Sequence, residues 1–308
     1  MKDSVSEIEI GLPYRDKMEE AGQVFTDGSA DSVEGMEEQR KKGSCFGAYI
    51  RIVGNKVFCL PRQWCYLIVS LILAYYAGAA IPFAKALGLS LTEYILFVLT
   101  DHYYLIYAWF FFLLYWMMHA VPKMSQQEWI RYGSYKMKCN VDNLTVGIQL
   151  TLMIIGNLLL VLFIGLVGLG PSDGFRIAGM MGDEIGNLQV LAGYAQVFPN
   201  PVTAIVCVVL YWDLGCCFLY SMLYYGHHLG GRKMMIGEMV VCMVSTIAGF
   251  MTDVDESALN VFFFNNDYIL HHALLLVGSE AACVNIAVMI IAWIGIRGIA
   301  LWKKGIPT

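Results

Sequence analysis

The chain has 308 residues, of which 58% are hydrophobic and only 15% are charged, and its formal net charge is −5. A soluble domain has about 25% charged and about 45–50% apolar residues, so this composition excludes an ordinary water-soluble globule. Apolar runs of about 20 residues predict helices that cross a bilayer, and they lack the alternation of a membrane β-barrel. We therefore predict an all-α integral membrane protein.

The chain begins with an acidic segment. Residues 1–42 hold 11 Asp or Glu against 6 Lys or Arg and little apolar content, which predicts a largely disordered cytoplasmic tail. Residues 43–62 place Ile50, Val53 and Val57 at three- and four-residue steps. This spacing predicts an amphipathic elbow helix on the membrane surface, with a plain juxtamembrane linker as the alternative.

Six spanning helices are predicted within a transmembrane domain of residues 63–302. Their predicted limits are 63–82, 94–121, 145–169, 201–226, 234–252 and 279–302. Between the last two, residues 253–278 are too apolar for a free loop and too interrupted for a full span. They predict a short, re-entrant-like hairpin at the outer rim, where irregular backbone must be covered by protein or line a water cavity.

Lys and Arg divide unevenly between the predicted loops. With the N-terminus inside, the cytoplasmic segments, including residues 303–308, hold 18 of the 20 Lys and Arg residues, and the outer loops hold only Lys85 and Arg176. Because Lys and Arg accumulate on the cytoplasmic side of a bilayer, this asymmetry predicts a multi-pass protein of the cell membrane. Both termini are then cytoplasmic.

The positions of the histidines and cysteines do not predict a metal site. The predicted topology places histidines at both ends of the bundle, so they cannot converge on one metal: His102, His271 and His272 outside, and His119, His227 and His228 inside. No HExxH motif occurs. Nine cysteines without a CxxC motif predict reduced thiols rather than a disulfide framework. We expect no metal or cofactor in this chain.

Two acidic residues, Asp101 and Asp213, lie within apolar runs. Charges at membrane depth are costly and usually face the bundle interior or a water path. Both residues are therefore candidates for a translocation path. The alternative is a structural hydrogen bond to a neighbouring helix, with Tyr211 or Tyr220 as possible partners of Asp213. No nucleotide-binding loop and no hydrolase triad at a common depth occur, so we expect no enzymatic activity.

Two stretches resemble the permease subunits of ABC exporters from Gram-positive bacteria, in the group beside bacteriocin, lantibiotic and multidrug-export genes. They are VLTDHYYLIYAWFFFLLYWM (98–117) and QEWIRYGSYKMKCN (127–140). VFPNPVTAIV (197–206) and GGRKMM (230–235) are similar to the start of that family's fourth span and to the basic stretch before its fifth. The resemblance covers about residues 63–302. The end of the second span is only partly similar, and the acidic tail lies outside the family's pattern.

The resemblance implies a transport subunit that exports a peptide, such as an antimicrobial peptide, or a drug-like substrate. Two such subunits, identical or paralogous, would enclose a path through the lipid bilayer. A dimer of ABC ATPase subunits would bind ATP and Mg on the cytoplasmic side, and we expect no nucleic-acid partner. A coupling helix within residues 122–142 would contact the ATPase through side chains typical of interface hot spots: Trp129, Arg131, Tyr132, Tyr135 and Lys136.

Three alternatives stay open beside this hypothesis. A snorkelling basic loop at the membrane surface needs the same residue types as a coupling helix. A sensor or immunity protein that works without an ATPase would instead bind a peptide at the outer rim through residues 253–278. A membrane metalloenzyme is the third possibility, and metal analysis of the purified protein would decide on it.

Overall fold

The structure is a computed structural model, and it describes residues 64–121, 134–177, 187–251, 264–274 and 279–303, together with positions 50, 52–55 and 57. The predicted tail 1–42 and residues 304–308 lie outside the described residues. In the predicted elbow segment, the described positions are helical, and Val53 and Val57 are buried. Residues 51–308 form one compact unit, which holds all of the helices from Trp64 onward.

Every regular element in the described residues is helical. In chain order they are α1 (Trp64–Ala86), α2 (Leu91–Leu99), the π-helix π1 (Tyr103–Phe110), α3 (Phe111–Ala120), α4 (Tyr135–Leu169), α5 (Asn187–Val197), α6 (Pro201–Met251), α7 (Asn265–Tyr268), α8 (Leu270–Leu274) and α9 (Ser279–Lys303). Four of these helices, α1, α4, α6 and α9, are long and apolar enough to cross a membrane. The segment from α2 to α3 makes a fifth candidate. The chain is therefore a multi-pass, all-α membrane protein.

The second candidate span is broken, whereas the sequence predicted one continuous helix over 94–121. α2 ends at Leu99, the chain bends by 54°, and helical structure resumes at Tyr103. The resumed segment begins as a π-helix of eight residues, a rare form that occurs frequently at functional sites. The sequence predicted a continuous helix because the segments on both sides of Thr100, Asp101 and His102 are apolar.

Helix α4 begins ten residues earlier than the predicted span 145–169. The hydroxyl of Ser134 accepts the backbone N–H of Met137 at 3.1 Å and caps the first turn. With 35 residues, α4 is about 50 Å long at about 1.5 Å per residue, whereas a bilayer core is about 30 Å thick. The polar first turns of α4 therefore extend the helix beyond its apolar part.

Helix α6 reverses direction at Gly231, which has φ 71° and ψ −163°, a conformation that favours glycine. A Cβ added to Gly226 would overlap the carboxylate of Glu238. Twelve residues along a straight helix would separate these positions by about 18 Å, so the arms 201–230 and 232–251 must pack against each other. Phe218 and Cys242 line one cavity between the arms. The reversal lies within the predicted loop 227–233.

One end of the bundle brings together the turn of α6, the end of α9 and the start of α4. The ammonium of Lys303 donates to the carbonyl of Leu229 at 2.7 Å, and the guanidinium of Arg297 donates to Asn140 Oδ1 at 2.9 Å. We call this the basic end. Loops 87–90 and 170–177 lie at the opposite end, because α4 runs away from the basic end and the loop after it bonds to Ser90 and Leu91.

Glu93 fastens the two loops of that opposite end together. Its carboxylate accepts the backbone N–H groups of Ser90 at 2.7 Å, Arg176 at 2.5 Å and Ile177 at 2.8 Å. The hydroxyl of Ser90 accepts the N–H of Glu93 in return and donates to the carbonyl of Gly174. This capping box therefore fixes the loop after α4 as well as the start of α2.

Replacing Glu93 with Gln should lower the free energy of unfolding by about 1–3 kcal/mol, because the amide nitrogen cannot accept a backbone N–H and leaves a buried donor unpaired. Thermal unfolding of the purified protein in detergent measures this change. Glu280, which is exposed at the start of α9, gives the matched control Glu280→Gln. Equal losses for the two variants would contradict the assigned role of Glu93.

Candidate metal centre

Three histidines from distant parts of the chain converge on one point. His102 lies at the break of the second span, and His271 and His272 lie on α8. The Nε2 atom of His102 is 2.6 Å from Nε2 of His272 and 2.9 Å from Nε2 of His271. All three ring nitrogens lie within 4.8 Å of one another. This is the spacing at which three nitrogens can share a single ion.

Asp101 holds His102 in place by capping the helix that follows the break. Its Oδ1 atom accepts the backbone N–H of Tyr104 at 2.8 Å, and its Oδ2 atom accepts the hydroxyl of Tyr76 from α1. The hydroxyl of Thr100 donates to the carbonyl of Leu96 at 2.7 Å. Side chains thus pair with backbone groups next to the interruption, and His102 follows the cap directly.

The segment that carries the other two histidines is held from three sides. The hydroxyl of Tyr211 on α6 donates to the carbonyl of Asn266 on α7. The amide of Asn285 on α9 lies 3.5 Å from the same carbonyl. The ring of Phe110 stacks on Tyr268 with centroids 5.6 Å apart and planes inclined by 4°. Helices α7 and α8 therefore form a buried segment that is interrupted at Ile269. The rest of the predicted hairpin 253–278 lies outside the described residues.

Asn266 also sets the tautomer of His272. Its Oδ1 atom lies 3.1 Å from Nδ1 of His272, and an amide oxygen can only accept. Nδ1 of His272 therefore carries the proton, and Nε2 presents its lone pair to the other two histidines. A metal-binding histidine usually donates its other ring N–H to an acceptor in this way.

Burial keeps the two histidines of α8 uncharged. His271 and His272 are 3% and 7% exposed. Burial, with the neighbouring imidazoles as a smaller cause, lowers the pKa of His272 to about 3 and that of His271 well below its ordinary value. Neutral imidazole is the form that binds metals. His102 is only partly buried, so the centre opens to the surroundings on its side.

The other histidines lie apart from this centre in the described residues. His228 packs against the rings of Tyr135 and Tyr224 near the turn of α6, and Nδ1 of His119 lies 2.8 Å from the carbonyl of Tyr115. The sequence predicted that the six histidines could not converge on one metal. The three that it assigned to the outer side do converge, and three nitrogen ligands are enough for a metal site.

Asp101 and Asp213 are both engaged in structural contacts. Asp101 caps π1 through the backbone of Tyr104. Asp213 accepts the hydroxyl of Thr151 on α4 at 2.9 Å, which is the structural bond to a neighbouring helix that the sequence left open. Its partner is neither predicted tyrosine, because Tyr211 donates to Asn266 instead and Tyr220 has no hydrogen bond to Asp213 in the described structure.

The predicted coupling segment lies mostly outside the described residues, which do not include Trp129, Arg131 or Tyr132. Tyr135 is buried, and its ring meets His228 edge-on at 5.4 Å. Lys136 is exposed. Tyr135 therefore contributes to packing at the start of α4, and Lys136 presents its charge at the surface.

A buried ion pair lies next to this segment. The sequence predicts Lys138 to be a loop cation, whereas its side chain is 2% exposed and its ammonium lies 2.6 Å from Asp142 Oδ2. The hydroxyl of Tyr224 on α6 donates to the same oxygen at 3.0 Å. The i,i+4 spacing of Lys138 and Asp142 was the available signal, since opposite charges at this spacing meet on a helix.

Comparison of the chain with models of known families, with curated proteins and with solved structures finds no match. Nothing beyond the chain itself therefore assigns a role to the three histidines. Their chemistry follows from the arrangement: convergent Nε2 atoms, a fixed tautomer on His272, and two neutral, buried rings. Such a set can hold a metal ion by three nitrogen ligands.

Breaking the buried pair should be costly. Lys138→Met or Asp142→Asn alone should lower the free energy of unfolding by about 3–5 kcal/mol, because each leaves an uncompensated buried group. Lys138→Met combined with Asp142→Leu should recover most of that loss, since no charge stays buried. Thermal unfolding in detergent measures all three variants. Additive losses in the double variant would show that the two residues do not stabilise the fold as a pair.

Proposed function

We propose that this chain is the membrane-spanning subunit of an ATP-driven ABC transporter that exports a peptide or a drug-like substrate. ATP would be hydrolysed by a dimer of separate ATPase chains on the cytoplasmic side. The observation that carries the proposal is the reversal of α6 at Gly231, combined with the uneven distribution of Lys and Arg. The reversal provides a sixth crossing, which gives the even number that two cytoplasmic termini require.

The six proposed crossings are α1, the bent segment from α2 to α3, α4, the two arms of α6, and α9. The arms 201–230 and 232–251 have lengths of about 45 and about 30 Å at about 1.5 Å per residue, enough for a bilayer core of about 30 Å. Arg232 and Lys233 follow the turn directly. The contact between Lys303 and Leu229 places the end of α9 beside that turn. These contacts support a cytoplasmic basic end.

The start of α4 is well placed to transmit a movement of a partner protein to other helices. The proposed coupling segment runs into α4 along the chain, and the pair of Lys138 and Asp142 links α4 to Tyr224 on one arm of α6. Asn140 links it to Arg297 on α9. A displacement of the coupling segment would therefore reach two further helices through buried or half-buried bonds, which supports its proposed role as the ATPase contact.

The alternative of a peptide sensor or immunity protein is less well supported. It needs an accessible surface on residues 253–278, and the described side chains of 264–274 are buried. No observation on the described residues favours it over transport. A gene for a Walker-motif ATPase next to this one would favour the transporter, whereas an isolated gene would favour the sensor.

Coexpression with candidate ATPases, followed by pull-down, tests the proposal. Trp129→Ala combined with Arg131→Glu should reduce the recovered ATPase by about tenfold or more, because loss of one hot-spot residue costs about 1–2 kcal/mol or more and about 1.4 kcal/mol is tenfold in affinity. Trp302→Ala combined with Lys85→Glu changes an exposed tryptophan and a lysine at the opposite end, and it should leave recovery unchanged. An intact complex with the first variant would count heavily against the coupling assignment.

A further inference from the structure

We propose that His102, His271 and His272 bind one divalent transition-metal ion of the zinc class through their Nε2 atoms, with a fourth coordination position left open. The three histidines lie away from the basic end, next to residues that bond to the middle of α1 and α4, and an ion bound there needs no ATPase partner. Four separate properties of these side chains support such a site: the tautomer of His272, the identity of the donor atoms, their spacing and their access.

The first property is the tautomer of His272. Its Nδ1 atom donates to Oδ1 of Asn266, so its Nε2 atom carries no proton and presents a lone pair. This lone pair lies 2.6 Å from Nε2 of His102, which is 2.9 Å from Nε2 of His271. A cation at the shared point can accept a lone pair from each of the three rings.

The second property is the identity of the donors. Imidazole nitrogen suits Zn, Cu, Fe and Ni, whereas Mg and Ca take oxygen ligands. In the described residues, the candidate ligands of the centre are three histidines, with no thiolate or carboxylate among them. Three protein ligands with an open fourth position are typical of zinc sites that bind water or a substrate group, rather than of closed structural sites.

The third property is the spacing. A tetrahedral ion with Zn–N bonds of about 2.0–2.1 Å separates its ligand nitrogens by about 3.3 Å. The two close Nε2 pairs lie at 2.6 and 2.9 Å, and all three ligand nitrogens lie within 4.8 Å of one another. Binding therefore requires the close pairs to move apart by about 0.4–0.7 Å, and small rotations of the three side chains would bring the nitrogens to the tetrahedral spacing.

The fourth property is access. His271 and His272 are buried, whereas His102 is only partly buried, so the open coordination position faces the side of His102. The ion would join the break of the second span to the segment of α7 and α8, two elements separated by about 170 residues along the chain. The expected ligand at the open position is therefore water or a donor group of a molecule arriving from that side.

The test uses the full chain, purified in detergent through an affinity tag that contains no histidine. The protein is stripped with a chelator, loaded with Zn²⁺ and freed of excess metal, after which elemental analysis gives the bound stoichiometry. The wild type should hold one equivalent. His102→Ala and His272→Ala should each weaken Zn²⁺ binding by about 100-fold or more in a calorimetric titration, because outer contacts alone are worth about 10–100-fold.

The chain provides its own control. His227→Ala combined with His228→Ala removes two adjacent histidines near the turn of α6. This variant should keep one equivalent of bound Zn²⁺ with unchanged affinity. Loss of binding in this control equal to that in His102→Ala would overturn the proposal, because it would show nonspecific binding to histidine. A wild-type protein that holds far less than one equivalent would overturn it as well.

Two further measurements keep the proposal open to test if a histidine variant does not fold. Asn266→Ala leaves all three ligands present and removes only the acceptor of His272 Nδ1, and it should weaken Zn²⁺ binding by about 10–100-fold. Co²⁺ bound to the wild type should give the intense visible absorption of tetrahedral nitrogen coordination. Unchanged affinity in Asn266→Ala, or only the weak spectrum of hexahydrated Co²⁺, would contradict the assigned ligands.

Discussion

The structure depends on how an interrupted helix is accommodated inside a membrane bundle. Backbone groups freed by a break cannot turn to water at membrane depth, so protein groups must pair with them. Asp101 supplies that pairing at the break of the second span, through Tyr104 on one carboxylate oxygen and Tyr76 on the other. A buried carboxylate that would be costly alone becomes a helix cap at the bend of 54°.

Two buried polar clusters of the bundle use different chemistry. At the basic end, Lys138 and Asp142 are both buried and neutralise each other, with Tyr224 as an added donor. In the histidine centre, His271 and His272 are buried without an opposite charge among the grouped side chains, and they stay neutral instead. A charge pair stabilises a fixed contact between helices, whereas a set of neutral nitrogens leaves a place for a cation to bind.

The sequence predicts the parts of this fold that follow from charge and hydrophobicity. Arg232 and Lys233 after a glycine pair indicate the reversal that divides α6, and the interrupted polarity of 253–278 predicts an irregular segment, of which α7 and α8 are the described part. The bend at residues 100–102 escaped prediction because Asp101 and His102 interrupt an otherwise apolar run without a proline or glycine. The burial of Lys138 escaped it because a lysine near a loop is usually solvated, and only its partner four residues later distinguishes it.

The histidine centre shows why its prediction required contacts between helices. Sequence topology placed His102, His271 and His272 on one side of the bilayer, which is a necessary condition for a shared ion. Whether they meet depends on two interruptions: the cap at Asp101 and the irregular position at Ile269 between α7 and α8. The two segments meet at the contact of His102 with His271 and His272. An ion bound there would therefore join two elements that lie about 170 residues apart along the chain.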